Sequence, residues 1–175
     1  MKLATIMSLF LLLSCSGQKL NSYKDELPKL NLREFFNGNL YALGIVQDRS
    51  GQVIKRFSVD IKASWKNNIA TLDESFHYSD KTTSSRIWQL QEMSPGHYQG
   101  RAGDVIGVAI GETVGNVFSF DYVLSVPVGG SHYDITFEDW MYLLDSKTLM
   151  AKTKMKKWGF DVGEVTLVMM KKESL

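Results

Sequence analysis

From Leu40 onward, apolar and polar side chains alternate with a period of two, the repeat of a strand with one face buried. Phe57, Val59, Ile61, Ala63 and Trp65 fall on one face, and Arg56, Ser58, Asp60, Lys62 and Ser64 on the other. Phe118, Phe120, Tyr122, Leu124 and Val126 repeat the pattern against Ser119, Asp121 and Ser125. Tyr133, Ile135 and Phe137 do so against His132, Asp134, Thr136 and Glu138. Turn-forming residues separate these runs: Arg49-Ser50-Gly51, Lys66-Asn67-Asn68, Asp80-Lys81-Thr82, Ser94-Pro95-Gly96, Val114-Gly115-Asn116 and Gly129-Gly130. Asp145-Ser146-Lys147 and Trp158-Gly159 read as two more. The spacing predicts roughly nine or ten antiparallel strands in a meander. A sheet of that many strands gains by curling and closing, because closure removes its exposed edges. The expected fold class is therefore all-β, an antiparallel up-and-down barrel, with a two-sheet sandwich as the alternative. Two places depart from the strand pattern. Asn31 to Phe36 reads as a short helical turn or plug before the first strand, with Asn31 as N-cap and Glu34 three residues on. Trp140 to Leu144 is compatible with a short helix.

The first residues follow a different rule. Behind Lys2 runs an apolar stretch that ends at Leu11-Leu12-Leu13-Ser14-Cys15. One positive charge, about ten mostly apolar residues and small residues at the end describe a secretory signal. The run is shorter than the ~20 residues that a membrane-spanning helix needs. Cys15, the sole cysteine, stands where a bacterial lipoprotein signal places the acyl-accepting thiol. The expected organisation is a leader over 1–14, an acylated tether over 15–28 and one barrel domain over 29–175. Ser16 rather than Asp after the acylated cysteine favours the periplasmic face of the outer membrane over the inner membrane. Lipid signals are the wrong export route for most membrane-spanning barrels, and the outward faces here carry many charges.

Removing residues 1–14 from the 175 leaves 161, one domain of ordinary size. Because Lys2 is the leader's only charge, the mature chain holds 19 of the 20 basic side chains against all 19 acidic ones. That balance lacks the positive field needed to neutralise phosphates, so no nucleic-acid partner is expected. With Cys15 acylated, no thiol is left for a disulfide, a nucleophile or a cysteine metal site. His77, His97 and His132 are scattered without metal-ligand spacing, no serine occupies a Gly-x-Ser-x-Gly turn, and neither metal nor cofactor is expected. The glycines around Gly103-Asp104-Val105-Ile106-Gly107 lie inside an apparent strand and read as barrel bends rather than a phosphate cradle.

Acids that interrupt an apolar face carry more information. Glu74 lies in line with Ala70, Leu72, Phe76 and Tyr78, and Asp139 continues the face of Tyr133, Ile135 and Phe137. An inward carboxylate needs a partner, and Arg86, alternating with Trp88 and Leu90, is available. The candidate ligand-binding residues are thus Glu74, Tyr78, Arg86, Trp88, Tyr122 and Asp139. A structural ion pair, or strand ends reaching water, would explain the same acids. The spacing gives no reason to pair Glu74 with Asp139 as glycosidase carboxylates.

Several segments together resemble a known family: Leu30-Asn31-Leu32-Arg33-Glu34-Phe35-Phe36-Asn37-Gly38, Gln47-Asp48-Arg49-Ser50-Gly51, Phe137-Glu138-Asp139-Trp140-Met141-Tyr142, and Gly159-Phe160 with Gly163-Glu164-Val165-Thr166. Gly103-Asp104-Val105 with Gly107, and Gly115-Asn116, belong to the same set. Over residues 28 to 171 the chain resembles the Gram-negative envelope lipoproteins grouped as the domain of unknown function DUF3833. The resemblance implies a lipocalin-like shape and an association with lipid or fatty-acid modification, and it supplies no catalytic residues.

Three functions are compatible with these observations. The first is a tethered, non-enzymatic barrel that binds or carries a lipid, fatty acid or other small apolar molecule. The second is an accessory envelope protein with a filled barrel that docks a protein partner. The third is an enzyme acting on a lipid-like substrate, with Asp139 or Glu74 as proton acceptor.

Overall fold

A computed structural model describes residues 18–172; the leader and Cys15 lie outside the described residues. Ten antiparallel strands follow one another around a closed barrel: β1 (Gly38–Asp48), β2 (Val53–Lys66), β3 (Ile69–Tyr78), β4 (Thr83–Ser94), β5 (His97–Arg101), β6 (Val105–Val114), β7 (Val117–Val128), β8 (Ser131–Leu143), β9 (Thr148–Lys157) and β10 (Phe160–Lys171). Each strand pairs with its neighbours in sequence, and β1 closes the circle on β10 from Leu40↔Lys171 to Asp48↔Gly163. Closure excludes the sandwich. Every turn named from the sequence joins two strands.

Two expectations are corrected. Trp140 to Leu143 is not helical: it continues β8, in register with β7 through Ser119↔Trp140 and with β9 through Leu143↔Leu149. The period-two alternation of Phe137, Asp139 and Met141 outweighs the weak local helix signal. Gly103 and Asp104, expected inside a strand, belong to the turn between β5 and β6, and Gly107 adopts φ +76° where the β6–β7 register slips between Ile106 and Ile110.

The alternation sorts the side chains as expected. Leu40, Ala42, Val59, Ile61, Leu72, Trp88, Leu90, Phe118, Phe120 and Leu149 point inward and are buried. Close backbone approach seats the largest rings: a Cβ on Gly100 would lie 2.5 Å from the Phe120 ring, and one on Gly111 would lie 2.5 Å from that of Phe118.

The two ends differ. One is plugged by α1 (Leu32–Phe35). Its N-terminus forms because the Asn31 side chain accepts hydrogen bonds from the N–H groups of Arg33 (3.0 Å) and Glu34 (3.3 Å). Leu32, Phe35 and Phe36 insert into the barrel and are almost fully buried. Trp65 Nε1 donates to the Phe36 carbonyl at 2.9 Å, while the Arg33 guanidinium lies 4.5 Å over the Trp65 ring and donates to the Asn67 carbonyl. Lys171, at the end of β10, donates to the carbonyls of Glu34, Phe35 and Asn37, satisfying groups that a helix end leaves open. The other end, framed by the β1–β2, β3–β4, β5–β6, β7–β8 and β9–β10 turns, has no such plug among the described residues.

The stretch expected as a free tether also differs. Residues 20–23 form a 3₁₀ turn against the outside of the barrel at its plugged end. Gln18 Nε2 donates to the hydroxyls of Tyr23 and Tyr142, and the Tyr23 ring packs edge-on to Tyr142 at 5.8 Å. Leu20 and Tyr23 are the apolar residues that give this polar segment something to bury. From Gln18 on, the chain is therefore laid along the barrel.

Candidate functional site

A cavity of about 130 Å³ occupies the middle of the barrel and is walled mostly by apolar side chains. Phe36 of the plug region floors it, and Ala42, Leu72, Phe120, Met141 and Met169 form much of its wall. Four polar residues share that lining: Glu74 on β3, Arg86 on β4, Tyr122 on β7 and Asp139 on β8. Each sits at an inward position of its strand, where the alternation would otherwise place an apolar residue.

Their connections are specific. Asp139 is 6% exposed, and its Oδ2 accepts a 2.9 Å hydrogen bond from the Tyr122 hydroxyl. Its Oδ1 has no hydrogen-bond partner among the described residues. Burial pushes the Asp139 carboxyl up to about 6, against the opposing influence of the Thr153 and Tyr122 hydroxyls and of Arg86. Glu74 is 9% exposed and stands directly across from Arg86 in the β3–β4 register. Its carboxyl is pushed up to about 7 by burial, which the nearby Arg86 charge only partly offsets, while Asp104, Asp139 and Asp73 add to the rise. Among the described residues no hydrogen bond to the Glu74 carboxylate contributes. Tyr122 is held well above the usual phenol value, first by burial and then by the Asp139 charge.

Arg86 is committed elsewhere than to Glu74. Its Nε donates to both Asp104 oxygens at 3.0 Å, and its Nη2 donates to Oδ2 at 2.7 Å, a forked pair. Burial works against the guanidinium charge, but Asp104 and Glu74 outweigh it and the pKa stays above its ordinary value. The Phe76 and Trp88 rings flank the same cation at 5.6 and 5.9 Å. Trp88 in turn packs against Phe120 at 5.2 Å and Tyr122 at 5.3 Å, and Tyr122 stacks on Phe137.

Of the six candidates, the fold brings Glu74, Arg86, Trp88, Tyr122 and Asp139 to one cavity, and Tyr78 is not among its lining. Tyr78 has the inward parity of β3 but lies at the strand's outer end, where its ring stacks on Phe76, its hydroxyl meets Ser84 at 3.0 Å and Lys55 Nζ lies 4.3 Å over its face. The expected partnership of Arg86 with an inward acid is replaced by the Asp104 fork. Asp104 is absent from the candidates because the pattern from Gly103 to Gly107 resembles a strand; the Gly103-Asp104 pair is the turn signal that marks it. The three histidines are exposed, and among the described residues no three histidine, aspartate or glutamate side chains converge as metal ligands.

A closed ten-stranded up-and-down barrel with a plugged end and an internal cavity defines a lipocalin-like protein. A solved structure agrees on the fold: the S-type phycobiliprotein lyase CPES from Guillardia theta superposes with a TM-score of 0.59 at 10% identity, covering 83% of this chain and 95% of the lyase. A de novo designed fluorescence-activating β-barrel is more distant, with a TM-score of 0.44 at 9% identity over 82% of this chain and 99% of the design. No curated protein matches the sequence. The chain belongs to the family described as "Protein of unknown function (DUF3833)", whose model matches residues 9–171.

Proposed function

We propose that this protein is a binding module whose barrel takes up one small apolar molecule, or the end of a longer one such as a lipid or fatty acid. Acylated Cys15 would hold it on the periplasmic face of the outer membrane. The observation that carries the reading is the apolar cavity, with polar groups confined to one cluster of its wall. That is the composition of a small-molecule site, where apolar surface supplies affinity and a few placed polar atoms supply orientation. An apolar cavity of about 150 Å³ admits benzene, so about 130 Å³ suits a ring or the end of a chain; the rest of a long acyl chain would extend toward the unplugged mouth. With Gln18 fixed on the barrel wall, only residues 16 and 17 separate the acyl-bearing cysteine from the domain. With that anchor, the plugged end would lie within about 10 Å of the bilayer.

The binding reading is non-catalytic. If Glu74 or Asp139 instead served as a proton acceptor in a reaction, the Glu74→Gln/Asp139→Asn chain would lose its cellular function while still binding apolar probes. The direct test is native mass spectrometry of the mature chain carrying Cys15→Ser, purified without detergent, together with titration of a fluorescent fatty acid or fatty alcohol. A bound apolar species, and saturable one-to-one probe binding abolished by the cavity-filling Ala42→Phe substitution, are expected. An empty protein that binds no probe would remove the reading. Palmitate labelling of the wild-type chain, lost in Cys15→Ser, tests the anchor.

A further inference from the structure

The polar atoms of the cavity are unequally provided for, and the imbalance has a sign. Asp139 Oδ1 is buried and makes no hydrogen bond of good geometry among the described residues, with the Thr153 hydroxyl as its nearby polar neighbour, and Glu74, nine-tenths buried, has only the charge of Arg86 across the register. The Tyr122 hydroxyl is spent on Asp139 Oδ2. Arg86 presents Nε and Nη2 to Asp104, so its charge is largely balanced before any ligand arrives. Among the described residues Arg86 Nη1 and the Trp88 indole donate no hydrogen bond, but three carboxyl groups surround one guanidinium. A ligand carboxylate would enter a site already rich in negative charge and would leave the two poorly satisfied acceptors as they are. A ligand donor would satisfy them.

We propose that the cavity selects an apolar molecule whose polar end donates hydrogen bonds, a protonated amine above all and a hydroxyl next, and that it discriminates against the carboxylate of a fatty acid. This rests on the binding reading above and narrows its ligand class. An ammonium group between Glu74 and Asp139 converts two costly buried carboxyls into charge-assisted acceptors. The surrounding Phe76, Trp88 and Tyr122 faces suit a cation as well. The groups that act on the acid pair are Arg86 on β4, Tyr122 on β7, Thr153 on β9 and Asp104 in the β5–β6 turn, with Asp73 and Asp121 contributing from outward positions of β3 and β7. Of these, only Arg86 is cationic.

A matched set of probes separates the outcomes: hexylamine, 1-hexanol and heptanoate carry the same six-carbon tail on different heads. Binding to the mature Cys15→Ser chain is followed through the fluorescence of Trp88, with the other tryptophans replaced by phenylalanine. Near pH 8 hexylamine is expected to bind about tenfold or more tighter than heptanoate, with 1-hexanol between them. Lowering the pH to about 5 protonates Glu74 and Asp139, so hexylamine loosens by about tenfold and heptanoate improves. Glu74→Gln/Asp139→Asn is expected to erase the amine preference while leaving 1-hexanol within about threefold; the single substitutions Glu74→Gln and Asp139→Asn stand in if the double variant does not fold. Heptanoate binding best near pH 8, and losing its affinity in Arg86→Met, would overturn the proposal and leave the binding reading intact. Failure of all three probes, together with failure of the fluorescent fatty acid and alcohol, would remove both.

Discussion

The plugged end and the middle of this barrel use the same inward strand positions to opposite effect. Near the plug, Leu32, Leu40 and Leu149 are essentially inaccessible, and none of them lines the cavity. One layer further along, the same faces carry Glu74 and Asp139, which folding alone would fill with leucine or valine. Buried carboxyls without full hydrogen bonding cost stability, so the plugged layer accounts for how the barrel holds together, and the middle layer carries the groups on which the proposed binding function rests. The proposed function adds a direction: a ligand would enter at the unplugged mouth, opposite the end where Gln18 meets Tyr142.

The largest effect is expected at Phe118, a buried ring where the packed layer meets the cavity wall. Phe118→Ala removes a ring set against Tyr98 at 5.6 Å and Phe120 at 5.2 Å and should cost about 4 kcal/mol in urea unfolding. A loss below about 1 kcal/mol would mean that the barrel is loosely packed even at the boundary between the two layers. The second expectation is a pH dependence that belongs to the middle layer alone. Folding raises the Glu74 and Asp139 values to about 7 and about 6, so the native state binds these protons more tightly than the unfolded chain. Stability is then greatest below the unfolded carboxyl range and falls as pH rises from about 4 to about 7, by up to about 3 kcal/mol for each group. Glu74→Gln/Asp139→Asn should flatten that slope in thermal melts, and an unchanged slope would place its origin elsewhere.

A third substitution should reverse sign. Asp139→Leu near pH 8 replaces a buried, half-satisfied carboxylate with apolar bulk and is expected to stabilise the ligand-free barrel by about 2 kcal/mol, while a leucine-to-alanine change at Leu32 in the plug destabilises. Destabilisation by Asp139→Leu would make the carboxyl part of the scaffold. The smallest effect is at the cap of the plug: Asn31→Ala, which frees the N–H groups of Arg33 and Glu34, should lower stability by about 1 kcal/mol without altering probe binding.

Much of this arrangement is legible in the sequence because a period of two is a strong signal when it is repeated in strand after strand. It put Glu74, Arg86, Trp88, Tyr122 and Asp139 on inward faces, and the up-and-down order then needs only closure to bring them together. What alternation cannot encode is depth along the barrel axis. Tyr78 shares the parity of Glu74 and sits too near the mouth to line the cavity, a distinction set by strand stagger rather than by pattern. The Arg86–Asp104 fork is non-local in the same way, since it depends on where the β5–β6 turn folds over the barrel. Gln18 and Tyr23 were hidden for a different reason: a few apolar atoms in a polar, aperiodic stretch give no periodic signal, yet are enough to lay it on the wall.

The most direct test is a methyl NMR titration of the mature Cys15→Ser chain, labelled at methionine and leucine, with 1-hexanol, because these methyls report on both layers and on the surface. Saturable shifts are expected at Met141 and Met169, which line the cavity, with exposed Met93 unmoved and the Leu32 and Leu149 methyls of the plugged layer shifting little. Shifts confined to Met93 and other outward positions, or no saturable shift at Met141 and Met169, would contradict a barrel built to hold a ligand.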